Sequence, residues 1–218
     1  MIPASFQRAR KPEQRELRRE TILAAAADLF DSEGPRGTSL SAIAARAGFT
    51  KSNIYRYFES REEVLISLLH EEIDRFLVTL EDLLRAVPEG DAAAVARSTT
   101  DAYLQHPRFA HLLSILFATL EQNVSVEILV ALKRHLAAMA DRLGALIHDC
   151  LPTISPTDCA WAGMTIHTYV AGMWPSAHPS EAARQVLQMP EFAALAPSME
   201  RDLERVILAL LSSLPGAR

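Results

Sequence analysis

The chain has little cysteine and no long uninterrupted apolar run. Cys150 and Cys159 are its only cysteines, and they form neither a Cys-x-x-Cys pair nor a Cys/His ligand set. A disulfide framework and a zinc site are therefore not indicated, and we expect a reduced, cytoplasmic chain with inert thiols rather than a redox pair. Residues 159–180 lack Asp, Glu, Lys and Arg, but polar residues and two prolines interrupt them. We expect a helix buried in protein, not in a membrane.

Strand patterns, internal repeats and catalytic motifs are also missing. The sequence has no phosphate-binding glycine loop, no Glu-x-x-His pair for a helical di-iron site and no recognisable nucleophile motif. Every convincing apolar period is helical. We therefore predict an all-α protein of about nine helices that is not an enzyme and that holds no metal and no cofactor.

Positive charge is scarce overall but concentrated at one end. Residues 1–60 hold ten Lys/Arg and seven Asp/Glu, net +3, whereas residues 61–218 hold 12 and 20, net −8, within a chain of net charge −5. A basic N-terminal region fits a nucleic-acid partner. Six basic residues precede or open the first helix and could meet phosphates or the minor groove, although a solvated tail explains them equally well: Arg8, Arg10, Lys11, Arg15, Arg18 and Arg19.

Two short helices are predicted to meet at residues 47–49. Thr38 or Ser39 can cap the first helix, and Gly48 can end it in the left-handed conformation. Thr50 can cap the second helix, which is basic and aromatic on most of its surface. Ile54 and Phe58 share the remaining, buried face, and a Ser-x-x-Glu capping box at residues 60–63 starts a third helix. This is the order of elements in a DNA-reading helix-turn-helix.

The segment GTSLSAIAARAGFTKSNIYRYFESREEVL resembles the DNA-binding domain of the tetracycline-repressor (TetR) family of bacterial regulators, over roughly residues 14–75. The pattern alone also fits a small helical bundle with solvated basic residues. The resemblance implies a three-helix DNA-binding domain at residues 1–60. It also implies a long helix from about residue 61 to 86 that leads into a larger helical domain for ligand sensing and dimerisation, residues 61–218.

DNA contacts can be assigned by role. Residues on the first turn of the second helix reach base edges, while capping residues, tyrosines and an arginine fit backbone contacts. The predicted set, with Ser41 as its weakest member, is Thr38, Ser39, Ser41, Lys51, Ser52, Asn53, Tyr55, Arg56, Tyr57 and Arg61.

Two apolar helices, near residues 156–174 and at the C-terminus, suit a dimer interface. The family resemblance implies that these helices pair with their symmetry mates, whereas packing within one chain explains each helix separately. The predicted interface residues are Trp161, Leu203, Val206, Ile207, Leu210 and Leu211.

Aromatic, thioether and isolated polar residues in apolar helices are candidates for an effector pocket, although core packing explains most of them. They are Phe76, Tyr103, Phe109, Phe117, Met139, Met164, His167 and Trp174. His167, with uncharged neighbours, is the most specific candidate, and the set predicts a largely apolar small molecule.

We therefore interpret the chain as a homodimeric, ligand-responsive repressor that a small molecule releases from a palindrome-like double-stranded operator. Two alternatives stay open at this point. The C-terminal domain could serve only to dimerise or to bind a protein, or it could be a helical enzyme attached to a DNA-targeting module.

Overall fold

The computed structural model describes the backbone of residues 6–216 and the side chains of residues 12–216. Across this range there are ten α-helices, two short 3₁₀ segments and no strand, which confirms the all-α prediction with one helix more than expected. The helices are α1 Phe6–Gly37, α2 Leu40–Ala47, α3 Lys51–Ile54, α4 Arg61–Leu84, α5 Ala92–Gln105, α6 Pro107–Ile115, α7 Val126–Cys150, α8 Pro156–Ala177, α9 Glu181–Leu187 and α10 Met199–Ser213.

Local signals place most of these boundaries. Asp91 caps α5 by accepting a hydrogen bond from the Ala94 amide at 2.9 Å. Pro107 and Pro156 begin α6 and α8, where a missing N–H removes no helical hydrogen bond. We expected α8 to end just before Pro175, but the helix continues to Ala177. Pro175 lies in the last turn, where its missing N–H removes only one backbone hydrogen bond.

The described chain divides into two compact units. The first comprises residues up to Leu68 together with Leu120–Ser125, and the second comprises Leu69–Thr119 and the chain from Val126 onward. This division falls within α4, whereas the predicted domain boundary precedes that helix.

Apolar residues of α1 and of the two short helices α2 and α3 form the core of the first unit. Ile22 and Leu29 on α1, Ile43 on α2, and Ile54 with Phe58 around α3 are all at most 3% exposed. The assignment of Ile54 and Phe58 to the core is therefore confirmed. With its apolar residues used here, α3 leaves its other faces to solvent.

In the second unit α8 packs against α6, α7 and α10, while α10 also packs along α5. The α7–α8 contact depends on small residues. A Cβ added at Gly144 would lie 2.8 Å from Cα of Ala160, and one added at Gly163 would lie 2.6 Å from Cδ2 of Leu143. Gly163 therefore allows close approach within one chain.

The apolar stripe of α10 is mostly internal. Leu203, Ile207 and Leu211 are completely buried in the single chain, so the prediction that they form a dimer interface is wrong. Their side chains are buried because α10 packs against neighbouring helices of the same unit. Val206 and Leu210, on the flank of the stripe, stay partly exposed.

The uncharged stretch at residues 159–180 forms most of α8 and is buried along one face by protein, as expected. None of the helices within the described range combines the length and the apolar character needed to cross a bilayer.

Candidate nucleic-acid interface and interior effector site

The turn between α2 and α3 is built by local hydrogen bonds. Ser39 Oγ accepts from the Ala42 amide at 3.1 Å and caps α2, whereas Thr50 Oγ1 accepts from the Asn53 amide at 3.3 Å and caps α3. Gly48 ends α2 with φ +72°, a left-handed conformation in which any Cβ would be strained. The predicted helix-turn-helix is therefore present.

The exposed face of α3 is polar and cationic. Lys51, Ser52 and Asn53 occupy its single turn and are exposed, while Ile54 points into the core. Tyr55 follows with 52% of its surface exposed, and Lys51 Nζ lies 5.9 Å from its ring centre. Lys, Ser and Asn side chains at such a position match the donors and acceptors of base edges in the major groove.

The structure excludes one predicted backbone contact, that of Thr38, and gives Arg61 partners within the protein. Thr38 is completely buried, and its hydroxyl donates to the Gly34 carbonyl at 2.9 Å, so it has no surface from which to reach a phosphate. Arg61 is partly buried, pairs with Glu62 at 2.8 Å and donates to the Pro35 carbonyl at 3.3 Å. Its main role is therefore to join the start of α4 to the end of α1.

Basic residues of α1 and the segment after α3 line one open concavity of about 570 Å³. Arg15, Arg18, Arg56, Gln14 and Tyr57 form its walls. Within the described side chains none of these three arginines has an ion-pair partner, so their charge is available to a polyanion. Gln14 was not among the predicted contacts, because nothing in the sequence places its helix beside Tyr57. Arg8, Arg10 and Lys11 lie outside the residues whose side chains are described.

Two other arginines of this unit have partners within the protein. Arg46 pairs with Asp28 at 2.6 Å and ties α2 to α1. Arg19 donates to Ser67 Oγ at 3.0 Å, and its guanidinium lies 5.3 Å from the Phe58 ring centre. The unit thus separates structural arginines from those left for binding.

A cluster of four aromatic rings lies inside the second unit, as far as the described side chains show. Phe76 lies with its ring centre 4.6 Å from Tyr103 and 4.7 Å from Phe109, and His167 lies 5.7 Å from both Tyr103 and Phe109. All four are at most 4% exposed. The structure therefore brings together four of the eight predicted effector residues, from helices α4, α5, α6 and α8.

His167 and Tyr103 are joined by a hydrogen bond between the phenol oxygen and Nδ1 of the imidazole. Burial lowers the pKa of His167 to about 3, and burial also raises the pKa of Tyr103 well above its ordinary value. Both groups are therefore neutral at physiological pH. The other ring nitrogen, Nε2 of His167, is buried without a hydrogen-bond partner among the described residues.

A surface groove of about 360 Å³ touches this cluster at Tyr103. Tyr103 belongs to both, and the groove is also lined by Pro107, Trp174, His178 and Met199. The ring of Trp174 stacks on that of His178 with centres 3.7 Å apart. Trp174 is thus a wall of the groove instead of a member of the interior cluster.

The three remaining predicted effector residues lie elsewhere. Phe117 is 58% exposed, with Lys133 Nζ 5.3 Å from its ring centre, and Met164 is 38% exposed on the outer face of α8. Met139 is buried on α7 and is an ordinary core residue. Residues that line a pocket and residues that do not share the same apolar character and helical spacing. The sequence alone could therefore not separate these three residues from the interior cluster.

Both cysteines are buried and free. Burial, and secondarily Asp158, raises the pKa of Cys159 to about 11, and burial with Asp149 raises the pKa of Cys150. A thiol with a raised pKa forms little reactive thiolate. In the described part of the chain, no three His, Cys, Asp or Glu residues are grouped so that they could hold a metal ion.

Models of known protein families match both units of the chain. The family model described as "Bacterial regulatory proteins, tetR family" matches residues 22–68, and the model described as "Tetracyclin repressor-like, C-terminal domain" matches residues 70–216. The chain belongs to the TetR family. This is a family of bacterial regulatory proteins, and the two matches correspond to an N-terminal helix-turn-helix domain and a C-terminal helical domain.

Curated TetR-type relatives share only part of the chain. The HTH-type transcriptional regulator RutR of Escherichia coli (strain K12) is 39% identical over 64 residues, which are 29% of this chain and 30% of RutR. The HTH-type transcriptional repressor NicS of Pseudomonas putida is 33% identical over 107 residues, which are 48% of this chain and 50% of NicS. The chain thus matches about half or less of these relatives' lengths.

Solved structures support the TetR fold over nearly the whole chain. A transcriptional regulator from Rhodococcus sp. Rha1 has a TM-score of 0.59 at 20% identity and covers 90% of this chain and 97% of that one. A TetR-family regulator from Streptomyces coelicolor has a TM-score of 0.57 at 19% identity, with 89% and 98% covered. At such identities the likeness concerns the fold alone.

Proposed function

We propose that this TetR-family regulator is a cytoplasmic homodimeric repressor that binds a palindrome-like operator and is released from it by a small molecule. The observation that carries the proposal is the exposed turn of α3. Lys51, Ser52 and Asn53 project from a helix whose apolar residues are fully used in the core. Groups presented in this way can enter a major groove without rearrangement of the fold.

The arginine concavity supplies sequence-independent affinity beside this turn. Arg15, Arg18 and Arg56 have no competing carboxylate in the described chain and lie next to Tyr57. Neutralising phosphates with such charges releases counterions, and binding therefore weakens steeply with salt. Base readout by α3 and phosphate binding by the concavity together make an operator-binding surface.

Dimerisation supports specificity because one α3 reads only a few base pairs. A two-fold pair reads two half-sites roughly 34 Å apart, or a multiple of that distance. The outer face of α8 is the best surface for a second copy. Trp161 is 54% exposed there, and with Met164, Thr165, Thr168 and Tyr169 it lines a shallow, mainly apolar depression.

Sedimentation of the full chain tests this surface. We expect a dimer at micromolar concentration, and Trp161→Arg should shift it toward monomer. Val126→Arg is the matched control, since Val126 is 70% exposed but lies on α7, away from the proposed face. A wild-type monomer, or equal dissociation by both variants, would contradict the proposed interface.

The interior aromatic cluster favours ligand control over a domain that only dimerises or binds protein. A purely structural core gains nothing from a buried nitrogen without a partner, whereas a binding site does. In a ligand-responsive regulator, operator affinity and effector affinity are reciprocally coupled.

Selection of bound DNA from a random pool, followed by a screen for compounds that release it, tests the whole proposal. We expect enrichment of an inverted repeat and release of the DNA by at least one uncharged compound. Failure to enrich any sequence would refute operator binding. Enrichment without release across a broad chemical library would favour the dimerisation-only alternative.

A further inference from the structure

His167 keeps one polar atom unpaired in the interior of the second unit. Its Nε2 is buried and without a partner among the described residues, while Nδ1 is bonded to the Tyr103 hydroxyl. Buried polar atoms in native proteins are almost always hydrogen-bonded, so an exception requires a reason. A ligand that supplies the missing partner is one such reason.

The hydrogen bond to Tyr103 makes Nε2 of His167 a donor. If the Tyr103 O–H donates to Nδ1, the imidazole proton is on Nε2, and one group remains unpaired. If Nδ1–H donates to the phenol oxygen instead, both the Tyr103 hydrogen and Nε2 remain unpaired within the described chain. The first arrangement leaves fewer unpaired buried groups and is therefore favoured.

The walls around this N–H are aromatic and uncharged. Tyr103 and Phe109 are parallel to within 5°, with centres 6.0 Å apart, and Phe76 lies 5.9 Å from the His167 ring. Glu72 is one turn away from Phe76 along α4, but its carboxylate is engaged by Arg75 and Arg108 at 2.6 and 2.7 Å. An ionic ligand finds no counter-charge here, and the N–H dipole repels a cation.

A second unpaired group lies on the same helix as Tyr103. Thr99 Oγ1 is buried without a partner in the described structure, and it precedes Tyr103 by one turn on the same face of α5. The groove with Trp174 and His178 in its wall is lined by one cluster residue, Tyr103, and is the entrance that the proposal requires.

We propose that this site takes an uncharged, planar, largely apolar molecule with one hydrogen-bond acceptor, such as an aryl ketone, whose oxygen accepts from His167 Nε2–H. The inference rests on the proposed function, since it names the chemical class of the effector. The Phe76 ring centre lies 4.6 Å from Tyr103 and 4.7 Å from Phe109, so a ligand beside His167 must displace rings of this cluster and with them the helices that carry them.

Four probes of one size test the chemistry. Acetophenone carries the acceptor oxygen, α-methylstyrene replaces it by a methylene group, benzoate is an anion, and phenyltrimethylammonium is a cation. In ligand-observed NMR titrations of the full chain without DNA, acetophenone should bind about tenfold more tightly than α-methylstyrene and more tightly than either ion. Equal binding of the first two, a preference for an ion, or no binding by any probe would overturn the proposal.

Variants at His167 locate the effect. His167→Leu removes the donor and should abolish the preference for acetophenone over α-methylstyrene. His167→Gln keeps an N–H donor on a side chain of similar length and should retain part of that preference. An unchanged preference in His167→Leu would show that the acceptor is recognised elsewhere.

The wild-type chain offers a test that no folding defect can obscure. Nitrogen-15 NMR of the His167 ring should show the proton on Nε2 and a bare, hydrogen-bonded Nδ1. A proton on Nδ1 would overturn the assignment of the donor. Because neither experiment contains DNA, a chain that prefers acetophenone yet selects no operator refutes only the proposed function. A chain that selects an operator without this preference refutes only the present inference.

Discussion

The two units differ in where they keep polar groups that lack a partner. In the first unit, Lys51, Asn53 and Arg56 are outside, where water solvates them. In the second unit, Thr99 Oγ1 and His167 Nε2 are inside, where no described group compensates them. An exposed polar group without a protein partner hardly destabilises the fold, because water solvates it. A buried unpaired group destabilises the fold by about 1–3 kcal/mol.

This difference separates two kinds of recognition. A large polyanion binds to a preformed outer surface, and its affinity depends on salt. A small neutral molecule binds inside, where it replaces a missing hydrogen bond and can change the packing of helices. The two kinds of recognition depend on different residues, so separate substitutions should affect them.

Removing the apolar support beneath α3 should have the largest effect. Phe58 is 2% exposed, so Phe58→Ala should lower the free energy of unfolding of the first unit by about 3–5 kcal/mol and abolish DNA binding. Calorimetry with a DNA-binding assay measures both. Tyr55→Ala is the control, because this exposed ring should change the stability by less than about 0.5 kcal/mol. Equal destabilisation would show that the buried and exposed faces are misassigned.

The outer charges should be separable from the structural ones. Replacing Arg15, Arg18 and Arg56 by Gln should flatten the dependence of log affinity on log salt by about 0.9 for each phosphate that the variant no longer neutralises. Arg46→Gln should leave this slope unchanged, since Arg46 is paired with Asp28. A filter-binding titration between low and physiological salt measures the slopes, and equal slopes for both variants would refute the distinction.

Within the outer surface, base readout should differ from phosphate binding. Asn53→Ala should reduce discrimination at one base pair of each half-site by about 1–3 kcal/mol, because a side-chain amide pairs bidentately with adenine. Arg18→Ala should instead weaken all sequences by a similar factor. Affinities for an operator and its single-base variants measure both effects, and indistinguishable profiles would contradict the assigned roles.

The burial of His167 should make the free energy of unfolding depend on pH. His167 has a pKa of about 3 in the folded chain, against an ordinary value of 6.5, so only the unfolded chain binds its proton between these values. The free energy of unfolding should therefore fall by about 1.4 kcal/mol for each pH unit as the pH is lowered from about 6 to 4. His167→Phe should remove this one-proton contribution, and chemical denaturation at several pH values measures it.

His178→Phe is the matched control for this pH dependence, because His178 is an exposed histidine. It leaves His167 in place and should therefore retain the His167 contribution to the slope. A slope in His167→Phe equal to that of the wild-type chain would mean that His167 is protonated in the folded state.

The fold could be predicted well because its signals are local. The caps at Ser39, Thr50 and Asp91 bond to amides three residues ahead, so each is contained in a few consecutive residues. The burial of Ile54 and Phe58 likewise follows from spacing along one helix. The candidate site in the first unit was therefore largely predictable, apart from Thr38 and Arg61, whose partners lie in the preceding turn and helix end.

The candidate site in the second unit was only half predictable. Phe76, Tyr103, Phe109 and His167 were chosen for the same reasons as Phe117 and Met164, yet only the first four converge. Thr99 was missed because an ordinary threonine in a helix carries no sign that its hydroxyl is unpaired.

By itself, the sequence determined the helices, the turn at Gly48 and the separation of a basic end from an acidic body, since these depend on residue types and short spacings. The tertiary structure alone decided which surfaces meet. An apolar stripe requires burial but does not specify its cover, and so Leu203, Ile207 and Leu211 became core while Trp161 on α8 stayed outside. The same packing left one nitrogen of His167 without a partner, because the hydrogen bonds of a buried side chain depend on neighbours that are distant in the chain.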